Sequence, residues 1–178
     1  MTWQTHVSRV VYENPWISVR EDAVTGPAGD GIYGVVTLRN AAVFVVVLDD
    51  HDRVCLVTLD RYTVGRSIEV PAGGSDGEDP LVAAQRELLE ETGLRAEHWT
   101  PIGTMNALNG VTVAPEHVFL ARGLRSSDAE EVHDDEGIES VSWVPFPEVL
   151  AMVADGRISD GETVAALAYA GIHLGRFA

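Results

Sequence analysis

Apolar positions follow two rhythms along this chain. Up to residue 39 they come in short clusters separated by turn residues. Val10-Val11-Tyr12 and Ile17-Ser18-Val19-Arg20 flank Glu13-Asn14-Pro15, and a second break runs from Gly26 to Gly31 before residues 33–38. Such spacing predicts a small antiparallel meander over residues 1–40. Three short strands hide little apolar surface alone, so this sheet is expected to pack on something else, a second subunit included. Residues 41–48 (AAVFVVVL) are a continuous apolar, β-branched run and read as a buried strand. Asp49-Asp50-His51-Asp52 is a polar turn, and residues 53–59 return as a strand, so the two are expected to form a hairpin. A short strand over 67–70 ends at Pro71-Ala72-Gly73, and 73–77 is a glycine-rich loop.

The clearest helix follows. Asp79 suits the N-cap, Pro80 the first turn and Gly93 the C-cap, while Leu81, Ala84 and Leu88 share a face toward the core. Further strands are expected at 99–106, 117–122 and 138–144, a charged loop at 126–136, and helices at 147–154 and 161–170. This order gives an α/β fold with a main domain over 41–178.

Composition narrows the function. A hydrophobic fraction of 46% supports a packed core and excludes a disordered chain. Lys+Arg 12 against Asp+Glu 28 gives a net charge of −16, which argues against gripping a nucleic acid polymer or an anionic membrane. It leaves a small nucleotide open, since metal ions bridge carboxylates to phosphates. The lone cysteine, Cys55, excludes an intrachain disulfide and reads as a buried small hydrophobe. The longest apolar run is too short to span a bilayer, and no secretory segment opens the chain, so a cytoplasmic location is expected. His6, His117 and His173 lack metal-ligand spacing, and Trp143 reads as core.

The stretch with chemistry is GGSDGEDPLVAAQRELLEETGL, from Gly73 to Leu94. At about 100° per residue, Glu87, Glu90 and Glu91 fall on one side of the helix. Like charges at this spacing cost roughly 0.2–0.5 kcal/mol per pair. A solvated acidic face would tolerate that cost, and a hard divalent cation would remove it. Arg86 stands beside the cluster and can orient a carboxylate. Glu78, just before the helix, can join it.

Glu78, seven residues, then Arg86-Glu87-Leu88-Leu89-Glu90-Glu91-Thr92-Gly93-Leu94 resembles the Nudix box, Gx5Ex7REUxEExGU with U apolar. Four residues rather than five separate Gly73 from Glu78. Glu69-Val70-Pro71-Ala72-Gly73 is similar to the entry of the ADP-ribose pyrophosphatase branch. Asp60-Arg61-Tyr62-Thr63 stands where that branch often has an arginine-containing run, and the meander resembles the swapped sheet of its dimers. The S-P-G-like turn of the branch corresponds to Ala107-Leu108-Asn109-Gly110, with Asn109 in place of proline.

The resemblance implies an α/β/α sandwich with a mixed sheet and hydrolysis of a nucleoside diphosphate linked to another moiety, with Mg²⁺ or Mn²⁺. ADP-ribose is the first substrate implied; GDP-mannose, NADH or a nucleoside triphosphate are alternatives, and a binding-only domain is another. The implied metal ligands are the Ala72 carbonyl, Glu87, Glu90 and Glu91, with Arg86 holding the carboxylates. The general base is open between Glu136, Glu116 and a box glutamate. Arg61 is a phosphate contact or a surface ion pair. Tyr12 and Trp16 stack on a base or ribose, or pack within the small sheet. A homodimer and a small nucleotide substrate are the implied partners.

Overall fold

The computed structural model describes residues 2–127 and 137–177. Glu136, a candidate base, lies outside the described residues. The chain opens with β1 (Gln4–Glu13), β2 (Ile17–Gly26) and β3 (Gly29–Leu38), an antiparallel meander. Asn14 builds its first turn by accepting from the amides of Trp16 and Ile17 at 2.9 and 2.8 Å. The second turn is tighter than its glycines suggested. Gly26 pairs directly with Gly29, whose φ of 101° suits a residue without a Cβ, so the strands run on almost to the turn.

The body contains β4 (Ala42–Val47), β5 (Arg53–Arg61), β6 (Gly65–Glu69), β7 (Ala72–Gly74), α1 (Pro80–Thr92), β8 (Leu94–Asn106), β9 (Thr112–Val113), β10 (Pro115–Ser126), β11 (Ile138–Pro145), α2 (Phe146–Ala154) and α3 (Gly161–His173). One sheet has the order β7-β4-β10-β8, with β4 and β10 parallel, and another has β11-β5-β6. β9 joins the meander parallel to β3, and so ties the first sheet to the body.

The expected β4–β5 hairpin does not form. Only the bridge Leu48 to Val54 links the two runs, and they enter different sheets. The reason is that β4 is buried on both faces. Val43, Val45 and Val47 pack toward Ala83, Ala84 and Leu88 of α1, whereas Phe44 and Val46 pack toward Phe146, Val149 and Leu167 of α2 and α3. A strand covered on both faces sits inside a sheet and uses both edges for pairing. β10 and β7 take those edges. The Asp49 carboxylate accepts from the amides of His51 and Arg53 and turns the chain toward the other sheet. Sheets between α1 on one side and α2 with α3 on the other make the expected α/β sandwich.

Cys55 is fully buried, and Trp143 packs against the α1-side cluster. Among the described residues, no helix is long and apolar enough to cross a membrane.

Candidate active site

Helix α1 delivers the carboxylates. Asp79 caps it by accepting from the Leu81 amide at 2.9 Å. Gly93 ends it with φ 69°, and its amide donates to the Leu89 carbonyl. The buried stripe is Ala83, Ala84, Glu87, Leu88 and Glu91. Two glutamates therefore lie on the inward face, 4% and 5% exposed at Glu87 and Glu91, while Glu90 is half-buried at its edge.

Strand β7 meets this face. The Ala72 amide donates to Glu91 Oε2 at 3.0 Å. A Cβ on Gly73 would stand 2.2 Å from the Glu87 carboxyl carbon, so only glycine lets that carboxylate lie against the backbone. Arg86 gathers the rest. Its Nη1 donates to Glu87 Oε1 at 2.8 Å and Glu90 Oε2 at 2.9 Å, its Nε to Glu78 Oε2 at 3.1 Å, and its Nη2 to the Gly74 carbonyl at 2.8 Å. Burial works against the charge of this guanidinium, but contacts with Glu90, Glu78 and Glu87 outweigh it and raise the pKa.

Among the described residues, no three His, Cys, Asp or Glu side chains are already drawn into a metal cage. Arg86 and the Ala72 amide hold the box carboxylates instead. The donor set nevertheless fits a hard divalent cation: buried carboxylate oxygens beside a backbone strand, in a cradle that a Cβ would fill.

A cavity of about 430 Å³ opens over this face, lined by Glu87, Arg86, Ala72, Arg61, Trp16 and Leu38 among others. Trp16 is 73% exposed there, whereas Tyr12 is exposed on β1 and does not line the cavity. Arg61 borders a second cavity of about 390 Å³. Its Nε and Nη2 donate to the two oxygens of buried Glu69 at 3.1 and 2.6 Å, and this pair raises the Arg61 pKa. It is thus an ion pair that stands between two cavities.

Glu116 lines the second cavity and is only 4% exposed. Its Oε2 is buried and has no hydrogen-bond partner among the described residues. Burial, followed by the charges of Glu162 and Asp160, pushes its pKa up to about 7. Asp160 and Glu162 lie at the start of α3 and line the same cavity. Sequence reasoning passed over both as site residues, because only the packing of α3 beside β10 brings them to Glu116. Glu69 carried a signal, its place in Glu69-Val70-Pro71-Ala72-Gly73.

Comparison with known proteins agrees with this geometry. The NUDIX domain family matches residues 38–167, and the nucleoside diphosphate sugar hydrolase N-terminal domain matches residues 3–36. An ADP-ribose pyrophosphatase of Mycobacterium tuberculosis (strain ATCC 25618 / H37Rv) is 33% identical over 173 residues, 96% of this chain and 81% of that protein. A GDP-mannose pyrophosphatase of Yersinia enterocolitica is 36% identical over 113 residues, 61% of this chain and 58% of that protein. A crystal structure of an ADP compounds hydrolase superposes with a TM-score of 0.85 at 19% identity, covering 99% of this chain and 96% of that one. The box side chains on α1, the glycine backbone beneath them and these matches lead to one conclusion: the chain belongs to the NUDIX domain family.

Proposed function

We propose that this chain hydrolyses the pyrophosphate bond of a nucleoside diphosphate sugar, ADP-ribose in the first place, giving AMP and ribose 5-phosphate. The observation that carries the proposal is the cavity joining Glu87, Arg86, Ala72, Arg61 and Trp16. It brings anion-binding and metal-binding chemistry next to an aromatic surface. The ADP-ribose pyrophosphatase relative, matched over nearly the whole chain, supports the same substrate class.

In this reading the Ala72 carbonyl, Glu87, Glu90 and Glu91 hold Mg²⁺ or Mn²⁺, which when bound neutralises charge on the diphosphate. Arg86 keeps Glu87 and Glu90 turned to the site through its two short contacts. Arg61, which lines the same cavity, meets the diphosphate, and Trp16 offers a face on which a base or ribose stacks. Glu136 takes the proton of the attacking water. Its support is the resemblance to the ADP-ribose pyrophosphatase branch, in which a glutamate of the corresponding stretch is the base. Glu116 contacts the hydroxyl-bearing end of the substrate. GDP-mannose is the second reading: Asn109 stands where the ADP-ribose branch has proline, which weakens ADP-ribose, and a GDP-mannose pyrophosphatase is among the relatives.

A homodimer built on the meander belongs to the same proposal. Among the described residues β1 is a free sheet edge, exposed over its whole length, and carries Val7, Val10, Val11 and Tyr12 exposed. Such an edge invites a partner. The lone, buried cysteine is in keeping with a cytoplasmic setting.

The test is release of nucleoside monophosphate from ADP-ribose, ADP-glucose, GDP-mannose and NADH with Mg²⁺ and then Mn²⁺, beside Glu91→Gln. AMP from ADP-ribose, reduced about 100-fold or more in the variant, is expected. No release from any of the four with either metal would overturn the proposal.

A further inference from the structure

The second cavity has a charge that the diphosphate chemistry does not explain. Among the described residues four carboxylates line it, Glu69, Glu116, Asp160 and Glu162, against one guanidinium, Arg61. Arg61 is committed to Glu69 through two contacts. Asp160 is partly compensated, since its Oδ2 accepts from the Thr163 amide at 2.7 Å and so caps α3. Glu162 also lines the cavity, hydrogen-bonded to the Asp160 side chain and to backbone at the start of α3, and Glu116 faces the same space. Among the described residues the buried Glu116 Oε2 has no hydrogen-bond partner, and a buried acceptor in that state favours a ligand that brings donors. A third cavity of about 290 Å³ shares Glu116, Gly161 and Glu162, and adds the apolar walls of Met105, Ala107 and Leu108.

The two cavities that meet at Arg61 therefore differ in character. One has the box residues Glu87 and Arg86 and the indole of Trp16. The other is acidic and lacks an uncommitted cation among its lining residues. A substrate with its diphosphate at Arg61 extends its non-nucleoside end into the acidic cavity, where hydroxyl donors meet acceptors and a second anionic group meets like charge. On the reading that this chain hydrolyses a nucleoside diphosphate sugar, we propose that Glu162 and Asp160, with Glu116, form a charge-selective wall that admits a neutral, hydroxyl-rich moiety and rejects an anionic one. Selectivity then comes from a repulsive element as much as from attraction.

Two ligands isolate the charge: UDP-glucose and UDP-glucuronate differ by a carboxylate on the sugar. Their affinities are to be measured by calorimetry at about pH 8.5, where Glu116 is ionised, with Ca²⁺ in place of Mg²⁺, for the unaltered protein, Glu162→Gln, and the exposed α2 control Glu148→Gln. The unaltered protein is expected to bind the neutral sugar about tenfold more tightly, and Glu162→Gln to shrink that ratio about threefold or more while Glu148→Gln leaves it unchanged. Equal affinities for the two sugars, or a ratio that Glu162→Gln leaves intact, would overturn the wall and leave the hydrolase reading standing. Binding of neither sugar would overturn the wall, because the acidic cavity would then not admit even a neutral sugar, while the hydrolase reading is decided separately by release of nucleoside monophosphate from the four substrates named above.

Discussion

Glu116 shows at the scale of a single residue how burial changes chemistry. Its carboxyl is pushed up to about 7 from an ordinary 4.5, so between those values the folded state holds a proton that the unfolded chain has released. Stability from this group is therefore greatest at low pH and falls as pH rises through that window. Glu116→Gln removes the titration. Thermal unfolding should show the variant gaining on the unaltered protein between pH 5 and pH 8, by about 2–4 °C for each kcal/mol recovered. A constant difference across that range would refute the assignment. Gly73 makes a different prediction. A Cβ there would stand 2.2 Å from the Glu87 carboxyl, so Gly73→Ala should lower kcat/KM about 10–100-fold, with Mg²⁺ titrating at higher concentration. The spacing of Glu87, Glu90 and Glu91 was readable in the sequence because a helix has a regular period. The burial of Glu116 was not, because it depends on β10 pairing with β4 and on α3 lying alongside.

Helix α1 was legible as an element because local signals at both ends agree with its apolar stripe. The cap is testable: Asp79→Ala should cost about 1 kcal/mol, and thermal unfolding should fall by about 2–4 °C. The same substitution should leave kcat nearly unchanged, since Asp79 makes its contact with the helix start, away from the box face. Strands were less legible than the helix. Residues 41–48 and 53–59 read as neighbours in a hairpin because a short polar turn joins them, yet they enter different sheets. Pairing across sequence-distant strands is decided by which faces must be covered. β4 has two faces to cover, and β10, far along the chain, pairs beside it in parallel. The meander also gained a strand that no periodicity announced. β9 has two residues, too few to show alternation.

The whole molecule combines a strongly acidic surface with one exposed apolar sheet edge. Net charge −16 and the exposed valines of β1 act in opposite directions, since repulsion keeps copies apart while an unpaired edge draws them together. The proposed homodimer requires the edge to prevail. Light scattering in 0.15 M salt should give twice the 19.2 kDa chain mass, with dissociation favoured as salt is lowered. A single-chain mass at every protein concentration would exclude the dimer.

By itself, the sequence determined the α1 helix and its caps, the cluster of carboxylates on one side of it, the membership that the Nudix box announces, and a charge unsuited to polymer binding. These depend on neighbours within a few turns of chain, where period, capping and charge are local quantities. The tertiary structure decided that β4 and β5 part company, that Gly73 lies under Glu87, that Arg61 stands between two cavities, and that Asp160 and Glu162 come to Glu116. Each of those depends on burying two faces of a central strand at once. That requirement brings together residues as far apart as Phe44, Glu116 and Glu162, which no local pattern relates.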